Sequence, residues 1–99
     1  MAEVMRQAQR MQRKMDKVRE QLKDHEMSAS AAGGKVTAVV TCEGKLRKID
    51  VDPEFLEQEG LEMALDSVVA AANNALAAAD AHVEAEMAKI TGGIKIPGM

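Results

Sequence analysis

Four cations, Arg6, Arg10, Arg13 and Lys17, recur at spacings of four, three and four residues near the start of the chain. At 100° per residue in a helix, these spacings gather them within a band of about 60°. The band runs roughly 16 Å along the helix axis, enough to meet several phosphates of a polyanion. Lys14 flanks it, whereas Arg19 and Lys23 fall toward the apolar side, where their stems would snorkel or pair across a helix interface. A polar face opposite an apolar seam is also the ordinary way for a helix to meet water. The stripe therefore counts as a binding surface only if its charges stay free of carboxylates.

Other chemistries lack the residues they need. There is no Ser/His/Asp grouping, no glycine-rich phosphate loop and no metal-ligand spacing, and Gly33-Gly34 and Gly92-Gly93 read as breakers. The chain is expected not to be an enzyme and to use no cofactor, metal or small-molecule substrate. Two histidines, His25 and His82, cannot complete a structural zinc site and read as surface residues. Cys42, the only cysteine, ends an alternating stretch, where a small buried hydrophobe is expected rather than a nucleophile. Phe55 is the only aromatic, so the stacking platforms of single-strand binders are absent. Contact with a duplex backbone, with low sequence specificity, is the nucleic-acid mode that fits.

The elements that must position the stripe follow from periodicity. Met1, Val4, Ala8, Met11, Met15, Val18 and Leu22 alternate spacings of three and four, the seam of an amphipathic helix placed at 1–27. Ser28, Ser30, Gly33 and Gly34 are expected to follow as a small-residue link. Lys35 to Cys42 and Leu46 to Val51 alternate around Glu43-Gly44 and predict a β-hairpin over 35–51, with room for a short third strand. Asp52-Pro53 reads as an N-cap and first helical position, opening a short helix with Phe55 and Leu56 that Glu57 to Gly60 breaks. A long helix is predicted over 61–91, with Leu61, Leu65, Val68, Ala72, Leu76, Ala79, Val83, Met87 and Ile90 as its seam and many alanines for close packing. Residues 92–99 read as a loose tail. The expected fold class is α+β, one domain over 1–99.

At 99 residues the core is small, and neither a disulfide nor a metal is available to staple it. A homodimer is the expected remedy, with hairpin edges pairing across a two-fold axis. No stretch approaches a membrane span and Met1 begins a charged helix, so the expectation is a cytoplasmic protein without a membrane partner. The formal net charge is −3, which makes any attraction to nucleic acid local. Through Lys23 seven basic residues face three acidic ones, a local net of +4; from Leu61 onward five acids face two lysines, a local net of −3.

The opening MRQAQRMQRKMDKVREQL, the hairpin KVTAVVTCEGKLRKIDVDPEFL, the alanine-rich LDSVVAAANNALAAAD and the ending MAKITGGIKIPGM together resemble the YbaB/EbfC family of bacterial nucleoid-associated proteins over almost the whole chain. The resemblance implies an α+β homodimer with a shared sheet and protruding helical arms like tweezers. It further implies non-enzymatic binding of double-stranded DNA in the cytoplasmic nucleoid. Carried onto this chain, the DNA-binding positions are Arg6, Arg10, Arg13, Lys14 and Lys17. The last helix departs from a DNA-facing pattern, since Lys89 is its only cation. The alternative reading is a protein-binding module or small prefoldin-like holdase acting through the same methionine-rich arms.

Overall fold

In a computed structural model, which describes residues 2–91, a long helix, a three-stranded antiparallel sheet and a second long helix follow one another. The first helix, α1, spans Ala2–Leu22. The strands are β1 (Glu26–Ala31), β2 (Val36–Thr41) and β3 (Leu46–Val51), in that order across the sheet, and α2 covers Pro53–Thr91. This is the α+β class expected. The tail predicted at 92–99 lies outside the described residues.

Two boundaries differ from expectation. The first helix ends at Leu22 rather than residue 27, and the supposed link contains strand β1. The reason is pairing: Glu26 to Ala31 lies antiparallel to Thr41 to Val36, register Ala29 opposite Ala38. Serine and alanine have low strand preference, yet Met27, Ala29 and Ala31 turn inward while Ser28 and Ser30 face out. The hairpin β2–β3 forms as predicted, with the Gly44 amide donating to the Thr41 carbonyl (2.9 Å) and Gly44 at φ 95°, where glycine carries no steric penalty. Val39 and Val40 bracket an irregularity in the β2–β3 register.

Asp52 caps α2 as predicted, its Oδ1 accepting the Glu54 amide at 2.8 Å. The expected break falls at Gly60, whose φ 87° and ψ 168° kink a single helical span. Past the kink, burial departs from the predicted seam at Leu61 and Leu65, while its Val68, Ala72 and Leu76 are half-buried against the core and its Ala79 and Met87 are buried. Ala64, Ser67, Ala71, Ala75 and Ala79 are buried, whereas Leu61 (66% exposed), Leu65 (55%) and Val69 (59%) face outward. Small side chains let the helix backbone approach β2 closely, so Ala71, Ala75 and Ala79 pack on Val36, Ala38 and Val40. The larger residues flank that contact.

Ala75 has no exposed surface, so Ala75→Leu overfills the helix–sheet gap. The expected loss is about 1–3 kcal/mol of unfolding free energy in urea melts. Ala77→Leu, exposed on the same helix, is expected to stay within about 0.5 kcal/mol of the parent.

Candidate nucleic-acid interface

The arm is built from α1 and the outer part of α2. Met15 and Met87 are buried, and Met11, Val18 and Leu22 on α1 and Val83 and Ile90 on α2 are half-buried. The His25 and His82 rings stack at 4.7 Å with 18° between their planes, tying the base of α1 to α2. From that stack α1 runs back and α2 runs forward along the same seam, so the two helices are antiparallel. Beyond the stack α2 continues about 14 Å to Thr91, whereas α1 extends roughly 30 Å back to Ala2. The first turns of α1 thus reach past the described end of α2, which leaves Val4 66% and Met5 64% exposed. The histidine stack was not visible in sequence because its partners are far apart along the chain.

Arg6, Arg10, Arg13, Lys14 and Lys17 all lie on α1 and all are exposed. Among the described residues no carboxylate comes within ion-pairing distance of any of them. One of them bonds within the helix, the Arg13 Nε–H donating to the Gln9 carbonyl at 3.4 Å. Hairpin cations behave differently. Lys35 lies 3.7 Å from Asp52, Lys45 3.6 Å from Glu43, Arg47 3.7 Å from Asp24 and Lys48 3.5 Å from Asp50. The local field of the hairpin is therefore largely cancelled, and that of α1 is not.

Other charged groups are held close to the arm's base. Lys23 pairs with Glu20 of its own helix at 2.7 Å rather than across an interface, and the hydrogen bond to Glu20 raises its ammonium pKa above the ordinary value. Arg19 lines an open cleft with Leu22, Cys42 and Val83. Lys89 donates to Glu86 at 3.0 Å, and that hydrogen bond, more than the nearby histidines, holds the Glu86 carboxyl below its ordinary range. A carboxylate lowered in this way favours the fold above that range and loses its contribution as pH falls through it; the exposed Lys89 partner keeps the effect small.

Cys42 is half-buried, and desolvation pushes its thiol above the ordinary value. At pH 7 iodoacetamide should therefore alkylate the native protein at least about tenfold more slowly than the urea-unfolded chain, as followed by mass spectrometry. Among the described residues no three His, Cys, Asp or Glu side chains are grouped to hold a metal ion. No described helix is long and apolar enough to cross a membrane.

Among the described residues the chain is thus an α+β unit in which a helix bearing a row of cations without carboxylate partners is joined to a small sheet through a second helix. The profile of the YbaB/EbfC DNA-binding family matches residues 1–94, and the chain belongs to that family. A nucleoid-associated protein of Acetivibrio thermocellus is 45% identical over 97% of this chain and 86% of its own length. Another, of Clostridium novyi, is 41% identical over 97% of this chain and 84% of its own length. The crystal structure of an uncharacterized protein from Helicobacter pylori shares the fold, with TM-score 0.73 over 93% of this chain and 97% of that one at 18% identity.

Proposed function

We propose that two copies of this chain form a homodimer that grips double-stranded DNA in the bacterial nucleoid, in the cytoplasm, with low sequence specificity. Arg6, Arg10, Arg13, Lys14 and Lys17 on α1 make the contact, by charge-assisted bonds to phosphates. The observation that carries the reading is the contrast in pairing: each cation of the hairpin has a carboxylate within 4 Å, and these five have none among the described residues.

The dimer has two supports. Leu61, Leu65 and Val69, four residues apart in turn, leave an apolar strip on α2 open to solvent. The sheet also has one edge better protected than the other. Ser30 of β1 turns its carbonyl outward and accepts the Asn74 side-chain amide at 3.1 Å. The β3 edge receives no such cover from a side chain among the described residues, which favours it for pairing between subunits.

Gel retardation with duplex and single-stranded DNA across a salt series tests the reading. Duplex should bind more tightly, and log affinity should fall against log salt with a slope of about −0.9 per phosphate engaged. Equal binding of both forms, or a flat salt response, would remove it. The exposed Val4 and Met5 at the arm's tip favour a second reading, an apolar grip on unfolded clients. That reading requires suppression of client aggregation that persists at high salt.

A further inference from the structure

We infer that the arm is one-sided: duplex lies along the outer face of α1, and the acidic face of α2 keeps it off the other side. This rests on the duplex reading above and sharpens it, since the two helices of the arm do not share the contact.

Asp80 and Glu84 are exposed on the outer half of α2, a turn apart, with no cation in ion-pairing distance among the described residues. The described half of the arm that belongs to α2 carries a single cation, Lys89, and Glu86 already neutralises it. The α1–α2 seam is marked on α1 by Met11, Met15, Val18 and Leu22 and on α2 by Val83, Met87 and Ile90. Measured from that seam at 100° per residue, Arg6, Arg10, Arg13 and Lys17 lie about 140° round α1, and Asp80 and Glu84 about 80° round α2. Because the helices are antiparallel, these offsets fall on opposite sides of the plane through both axes. The cationic and acidic faces are thus turned roughly 120° apart around the arm.

A duplex approaching the α2 side meets two carboxylates that no cation pairs with among the described residues, within a Debye length, about 10 Å at 0.1 M salt, and Arg19 at the arm's base is the one exposed cation turned to that side. Approach to the outer face of α1 meets four cations in line. The acids bind nothing in this scheme; they set which side of the arm the polyanion occupies.

Tethered cleavage separates the two sides. In full-length protein carrying Cys42→Ser, a single cysteine is placed at Gln21→Cys, one turn beyond Lys17 on the stripe's side of the arm, or at Ala77→Cys beside the acids, both exposed positions, and labelled with iron–EDTA. With bound duplex, strand cutting from the Gln21 position should exceed that from the Ala77 position at least about fivefold. Adding Asp80→Asn and Glu84→Gln should bring cutting from the Ala77 position up by at least about threefold at low salt. Comparable cutting from both positions before neutralisation would overturn the one-sided arm. So would an Ala77 position that stays silent after it, because attraction by α1 alone would then account for the geometry. If the labelled proteins fail to retard duplex at all, the duplex reading itself falls, and this inference with it.

Discussion

Alanine at Arg6, Arg10, Arg13 and Lys17 together should weaken duplex binding by at least about 100-fold at low salt while leaving the fold intact. In the proposed dimer, ten cations with Lys14 included give a salt slope of about −9 if each meets a phosphate. The variant keeps only Lys14 on each stripe, and its slope should shrink to about −2. Alanine has the highest helix propensity, so α1 should persist, as checked by circular dichroism. The chain's net charge becomes more negative, which by itself repels DNA, and a matched control isolates the stripe. Replacing Lys35, Lys45, Arg47 and Lys48 by glutamine removes the same formal charge, but from cations already paired with Asp52, Glu43, Asp24 and Asp50. That control should lose no more than about fivefold, since exposed pairs present little free field. Equal losses in the two variants would mean that net charge, and not the stripe, governs binding.

Sequence and structure agree where one local force dominates. The α1 stripe was readable because a solvated face shows its charges directly in the helical period, and Val36 to Thr41 was readable because β-branched residues alternate there. The missed strand β1 has no such marker. Its serines and alanines become a strand through pairing with β2 and through the space α2 requires, both of which are tertiary. The phase of α2 was readable from Val68 outward, where Val68, Ala72 and Leu76 pack against the core and Ala79 and Met87 are buried, and missed at Leu61 and Leu65 for a related reason. Apolar residues surround that helix, and hydrophobicity alone would bury Leu61 and Leu65 before Ala71 and Ala75. Close approach to the sheet reverses the choice. The pairing of Lys35, Lys45, Arg47 and Lys48, which makes the α1 stripe stand out, likewise depends on distances that periodicity does not encode.

That reversal has a consequence for assembly, because it leaves the leucine face of α2 in water within a single subunit. Leu61→Asp with Leu65→Asp should convert the proposed dimer to monomer. Both side chains are more than half exposed, so aspartate costs little inside one chain. In a two-fold interface each change is felt twice, and burying a leucine is worth about 1.5–3 kcal/mol. Four lost leucines would raise the dissociation constant by at least about 10³-fold, read by sedimentation across a dilution series. Duplex affinity should fall with it, by about 10²-fold or more, because a monomer offers one arm where the dimer offers two in linked fashion. Val4→Asp with Met5→Asp, equally exposed but at the tip of α1, should leave the subunits associated. A dimer that survives the Leu61 and Leu65 changes would move the interface elsewhere, with the open edge of β3 as the remaining surface to test.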